Sequence, residues 1–272
     1  MTNINLKISK IDYKLELKIS NLVVIKGNYK KLNDKQLSKL EKYTNSNFKL
    51  EDILSIRSSY MSMKILKNSL RLKSLINEIY DLYNKKISLK EISEKFDLPP
   101  IPLIKNIFYL KNYSKDLVKS FFYGNNLFEL NNFDLKQLKF AIKNDIFNKV
   151  DQSSQIKNSE NFETEIKKFL VKNKIKFKTQ NELSIEQINK YGRAINTPDF
   201  LIKSDFYINN KKINWIDAKN FYGANTYLIK KKIKNQVKKY VKEYGYGAIF
   251  FSLNFSEKLN FKKVLLVNYN MI

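Results

Sequence analysis

Between Thr197 and Lys219 the chain carries two carboxylates and an ammonium at a spacing that could do chemistry. Thr197-Pro198-Asp199-Phe200-Leu201-Ile202 reads as a short apolar strand with Asp199 at its start. Ile213-Asn214-Trp215-Ile216-Asp217-Ala218-Lys219 reads as a second, with Asp217 near its end. Asn209-Asn210-Lys211-Lys212 is a good turn between them. In a tight hairpin Asp199, Asp217 and Lys219 converge on one edge of a sheet, where such a set can hold a hard divalent cation and activate a water. The plain alternative is a pair of strand-end carboxylates with Lys219 as their surface ion partner, an arrangement worth little.

Composition narrows the chemistry. The 272 residues contain no histidine and no cysteine. That excludes Ser-His-Asp and Cys-His catalysis, His- or thiolate-bound zinc and disulfides, so hydrolysis here must use carboxylates, Lys, Tyr and a metal. The formal net charge is +25, which points to a polyanionic partner, nucleic acid first. AT-rich coding is the bland source of the same charge, since Lys, Asn and Ile abound and Arg occurs only at 57, 71 and 193. No apolar run is long enough for a bilayer and no leader signature opens the chain, so the expected location is intracellular, in nucleus or cytoplasm.

The elements that must position the motif follow from periodicity. Residues 1–30 alternate weakly and suggest a small β-hairpin or extended arm. Helical spacing then predicts helices near 33–41, over Leu50–Lys67 and over Leu70–Asn84. Ser88-Leu89-Lys90-Glu91 is a capping box, and Asp97-Leu98-Pro99-Pro100 ends the helix it opens. With the following helix, which would offer Lys105 and Asn106 to a major groove, this reads as helix-turn-helix within about 70–112; an ordinary helical hairpin is the alternative. Further helices are expected over Tyr113–Tyr123 and Phe133–Phe147. The polar stretch from Asp151 to Ser159 reads as a linker, dividing a mostly helical domain, 1–155, from a second domain, 156–272. That domain is expected as a helix over Glu160–Asn173, a strand over Ile175–Leu183, the two motif strands and a basic helix over Asn225–Tyr244. Two apolar strands close it, at Ala248–Leu253 and Val264–Tyr269, the first looking buried on both faces. The fold class is thus α/β of the α+β kind.

Pro198-Asp199 followed by Asp217-Ala218-Lys219 resembles the PD-(D/E)XK nuclease signature, and the order α-β-β-β-α-β resembles that superfamily's mixed, helix-flanked sheet. Gln236 and Tyr240, four apart on the basic helix, resemble the Gln-x-x-x-Tyr motif of RecB-like and Cas4-like members. Thr197-Pro198-Asp199-Phe200, Trp215 to Lys219 with Gly223, Phe162-Glu163, Asn173 to Phe177, Asn181-Glu182-Leu183 and Tyr244-Gly245-Tyr246-Gly247 resemble the TPD-motif family, that of the codanin-interacting nuclease. Asp217 departs from the Glu expected in relatives, which bears on metal preference.

The resemblance implies a nuclease that hydrolyses phosphodiesters, DNA ahead of RNA, with Mg²⁺ or Mn²⁺. Asp199, Asp217 and the Ala218 carbonyl would hold the ion, and Glu163 would bind a second metal or a metal-bound water; Glu165 is its rival on the same helix. Lys219 would orient the attacking water and stabilise charge on phosphorus, and Gln236 and Tyr240 would hold substrate or geometry, Tyr240 alternatively being core. Lys230, Lys231, Lys234 and Lys238 would track a phosphate backbone, and Arg193 would clamp a phosphate. The resemblance also implies a codanin-like partner. Two alternatives are a catalytically quiet nucleic-acid-binding or scaffold protein and a homodimeric resolvase of branched DNA.

Overall fold

The computed structural model describes residues 1–148 and 153–269. The first half runs β1 (Thr2–Ile4), α1 (Tyr13–Val23), α2 (Asp34–Glu41), α3 (Leu50–Asn84), α4 (Leu89–Phe96), α5 (Pro100–Leu110), α6 (Lys115–Phe122) and α7 (Asn132–Asn144). The second half begins with α8 (Ser153–Lys172), β2 (Phe177–Thr179), α9 (Gln180–Tyr191), β3 (Phe200–Ile202) and β4 (Phe206–Ile208). It closes with β5 (Lys211–Lys212), β6 (Trp215–Lys219), α10 (Tyr227–Tyr244), β7 (Gly247–Phe251) and β8 (Val264–Asn268). The class is mixed α/β with a helical N-terminal region, and no helix among the described residues is long and apolar enough to cross a membrane.

Two compact units are present: one from Met1–Ile19, Tyr43–Ser59 and Ser153–Ile272, the other from Ser20–Lys42 and Tyr60–Gln152. This differs from one cut near 155. The N-terminal residues belong with the C-terminal ones because β1 pairs in parallel with β4, Thr2 with Phe206 through Ile4 with Ile208. Of the expected linker, Asp151 and Gln152 lie outside the described residues, and from Ser153 the stretch is already helix.

In the sheet-bearing unit five strands lie in the order β2-β3-β6-β7-β8. β3 is antiparallel to both β2 and β6, and β7 is parallel to both β6 and β8. Phe162, Ile166 and Leu170 of α8 cover one face, packing with Ile216, Ala248 and Phe250. Leu183 of α9 and Ile233, Val237 and Tyr240 of α10 cover the other, with Trp215, Ile249 and Phe251. β7 is buried along its whole length, as its unbroken apolar run requires. Its first residue must be Gly: a Cβ on Gly247 would stand 2.1 Å from Cε2 of Trp215. That indole is fully buried and donates from Nε1 to the Gly245 carbonyl at 3.0 Å, which fixes the start of β6.

Several expected elements differ. Residues 13–23 form helix α1, not a hairpin arm, and α3 continues through Asn68-Ser69 because neither residue forces a break. The strand expected over Ile175–Leu183 stops at Thr179, whose hydroxyl accepts the Glu182 N–H while Glu182 accepts the Thr179 N–H, a capping box that starts α9. Asn209 and Asn210 do form a turn, both left-handed at φ 49° and 62°, a conformation Asn tolerates. That turn joins β4 to β5, which with β1 make a separate three-stranded sheet, while β3 and β6 pair around the insertion.

The helical unit has its own core, centred on α5. Ser88 caps α4 by accepting the Glu91 N–H at 3.2 Å, but Glu91 accepts from the Ser88 hydroxyl, so the reciprocal backbone half of the box is not made. Ile101, Leu103, Ile104, Ile107 and Phe108 of α5 are all buried. Lys105 lies 4.9 Å from the centre of the Phe122 ring and Asn106 donates to the Pro102 carbonyl at 2.8 Å. The α4–α5 pair is therefore the middle of a core, and the two side chains expected to face a groove are engaged within the unit. Beside it, fully buried Asp134 accepts from the Tyr83 hydroxyl at 2.8 Å and pairs with Lys111 at 2.6 Å.

Candidate active site

Side chains on a strand alternate between faces, so Trp215, Asp217 and Lys219 share the α10 side of β6 while Ile216 and Ala218 turn toward α8. Strand β3 pairs Phe200 with Ile216, which sets Asp199, one position earlier, opposite Asp217. Asp199 accepts the Ala218 N–H on Oδ2 at 2.6 Å. Asp217 is fully buried; its Oδ1 accepts from Nε2 of Gln236 at 2.8 Å. Its Oδ2 is ion-paired with the Lys219 ammonium yet has no aligned hydrogen-bond donor. The carboxylates and the lysine thus meet at the ends of inner strands, not on a sheet edge as the hairpin reading expected.

The electrostatics is short of positive charge. Burial, then the facing Asp217, pushes the Asp199 carboxyl up to about 7. Burial also raises Asp217, against the opposing pull of Lys219 and the charge of Lys232. Glu163 is raised by partial burial and then by Asp217, with Lys219 opposing. Three carboxyl groups therefore share the field of one close ammonium.

The Thr-Pro-Asp segment is held by its backbone. Gln187 of α9 accepts the N–H groups of Ile195 and Asn196 at 2.7 and 2.9 Å and donates to the Asn196 carbonyl at 2.8 Å. From α10, Tyr244 donates to that same carbonyl at 2.8 Å and Tyr240 to the Thr197 carbonyl at 3.3 Å. Gln236 donates to the Tyr240 oxygen at 3.1 Å, so one helical row ties Asp217 to the Thr197 backbone. Tyr240 is also core: it is buried, with its ring centroid 5.2 Å from that of Trp215.

Asp199, Asp217, Lys219, Gln236 and Tyr240 are thus brought together, and half-buried Glu163 faces them electrostatically. Glu165 is exposed and paired with Lys168. Ala218 enters the site through its N–H. Arg193 is exposed just past α9, and Lys231 lies over the Tyr227 ring, 5.5 Å from its centre. Lys230, Lys234 and Lys238 lie on the opposite flank of α10 from Gln236, since a two-residue step turns a helix by about 200°. Sequence reasoning missed Gln187, Asn196 and the contact made by Tyr244, which continues the four-residue row through Gln236 and Tyr240 and could have been found that way.

Among the described residues no group of three or more acidic side chains forms a metal-ligating cluster. Asp199 and Asp217 still fit a hard divalent ion through oxygen donors, and such an ion would share the buried Asp217 carboxylate with the Lys219 ammonium.

Two comparisons place this site among other proteins. Over 215 residues, 75% of each chain, the sequence is 25% identical to an uncharacterised protein of Acanthamoeba polyphaga mimivirus. No solved structure matches. Residues 132–270, which enclose every element of the site, match the family described as "Protein of unknown function TPD sequence-motif". Spanning just over half of the chain, with Thr197-Pro198-Asp199 inside it, that match makes the protein a member of the TPD sequence-motif family.

Proposed function

We propose that the protein is a divalent-metal-dependent nuclease of the PD-(D/E)XK type, with its site at Asp199, Asp217 and Lys219. The observation that carries the reading is fully buried Asp217, which faces Asp199 and is paired with Lys219. Burying a carboxylate beside another is costly unless a ligand or reaction uses the charge. The antiparallel β2-β3-β6 set with β7 parallel to β6 supports the same reading, although α9 and the β4–β5 hairpin are additions to the expected order.

In this reading Asp199 and Asp217 would hold Mg²⁺ or Mn²⁺, which when bound would supply Lewis-acid polarisation of the scissile phosphate. Lys219, one strand repeat beyond Asp217, orients the attacking water and stabilises the charge growing on the phosphoryl oxygens. The water oxygen bonds to phosphorus, the bond from phosphorus to the leaving oxygen breaks, and a water proton ends on that oxygen. Gln236 fixes Asp217, Tyr240 fixes Thr197, and Glu163 adds negative charge at the rim. By resemblance the substrate is DNA ahead of RNA, with a codanin-like partner.

Cleavage of single-stranded, duplex, flap and four-way DNA with Mg²⁺ or Mn²⁺ tests this. Activity that vanishes in EDTA and in Asp217→Asn and Lys219→Ala is expected. Cleavage that survives those substitutions, or none on any substrate, overturns it. Binding without turnover in the same assay would instead support a nucleic-acid-binding protein without cleavage.

A further inference from the structure

On the flank of α10 away from the active site lies a groove of about 740 Å³, closed on its other side by residues 258–263. The α10 wall carries Lys230, Lys234, Lys238 and Lys242, and the facing segment carries Lys258, Lys262 and Lys263. No acidic residue lines the groove, and among the described residues none of these lysines is in a salt bridge. Between the two basic walls the floor is apolar, formed by Val237, Val241 and half-buried Phe261.

We propose that this groove binds an unpaired strand of nucleic acid, phosphates on the lysine walls and a base against Phe261. The α10 lysines recur every four residues, a rise of about 6 Å, close to the step between phosphates of an extended strand. Uncompensated lysines on both walls favour a polyanion, and an apolar floor with an aromatic ring adds what only an exposed base can use. A duplex hides its base faces in the stack and would leave that floor empty. The nuclease reading suggests nucleic acid as the class of ligand, and the groove deepens it: the substrate has an unpaired segment that runs along the flank of α10 away from the site of cutting.

The test is fluorescence anisotropy of the full chain with labelled oligothymidylate and a duplex of equal length, in EDTA over a salt series. Tighter binding of the single strand is expected. Replacing Lys234, Lys238, Lys258 and Lys262 together by Ala should reduce the slope of log affinity against log salt by about 3 for the single strand. Phe261→Ala should weaken single-strand binding by about 5- to 150-fold and leave that slope unchanged. Phe261→Leu should weaken binding as well, by losing the stacking face while keeping the floor filled. Equal losses on duplex, unchanged binding in the variants, or competition by polyglutamate as strong as by oligothymidylate would overturn the proposal. Cleavage by a protein whose groove variants bind normally sinks the groove alone. Groove-dependent binding without any cleavage sinks the nuclease reading alone.

Discussion

If the site is built for a cation, the metal-free protein should be more stable without one of its carboxylates. Asp199 is the residue to change, because Asn keeps an oxygen to accept the Ala218 N–H now bonded at 2.6 Å. Its pKa rises from 3.8 to about 7 on folding, by burial and then by Asp217. The folded state therefore binds this proton more tightly than the unfolded state. The stability it contributes is full below 3.8 and is lost as pH rises through about 7. At about 1.4 kcal/mol per unit the loss at pH 8 has a ceiling of about 4 kcal/mol, and sharing of the field with Asp217 brings the expected value to about 2 kcal/mol. Asp199→Asn should then raise Tm by about 4–8 °C at pH 8 in EDTA and have little effect near pH 3.5. Melts followed by circular dichroism at both pH values check this. Adding Mg²⁺ at pH 8 should raise the wild-type Tm, by about 2.7 kcal/mol of stability at a hundredfold excess over Kd, and leave the variant unmoved. An Asp199→Asn protein less stable than wild type at pH 8, or one with the wild-type pH dependence, would refute the reasoning.

Three other outcomes follow from single contacts. Gln236→Ala removes the donor to Asp217 Oδ1 and should lower the cleavage rate by about 10–100-fold while the fold, read by circular dichroism, stays intact. Gly247→Ala drives a Cβ into the Trp215 ring and should cost about 1–3 kcal/mol in urea unfolding, with a shift in tryptophan fluorescence that a surface substitution would not cause. Asp134→Ala leaves Lys111 and the Tyr83 hydroxyl without their carboxylate and should cost about 3–5 kcal/mol in urea unfolding, leaving cleavage by the folded fraction unchanged.

Elements with strong periodicity or unmistakable ends were legible in the sequence. The buried run of β7, the basic helix α10 and the Ser88 cap all come from local patterns that tertiary contacts had no reason to override. What stayed hidden depends on distant partners. β1 is three residues long and means nothing until β4, far along the chain, is beside it. Helix α9 was hidden differently. Phe177 and Leu183 sit in one weakly apolar stretch, and the Thr179-to-Glu182 signal that splits it into strand and helix went unread.

The site was legible for a reason tied to its cost. Trp215, Asp217 and Lys219 occupy alternate positions of an inner strand, where packing alone would place three apolar side chains. A carboxylate and an ammonium in such positions contradict the pattern around them, and a short sequence can show that contradiction without any knowledge of the fold. Gln187 and Tyr244 act instead through backbone carbonyls and N–H groups, which every residue offers equally. Nothing in the sequence can mark Asn196 as their target, so the clamp that aims Asp199 becomes visible only once the chain is folded. The groove behind α10 falls between these cases: its lysine row is plain in the sequence, but its Phe261 floor is brought to it by the turn before β8.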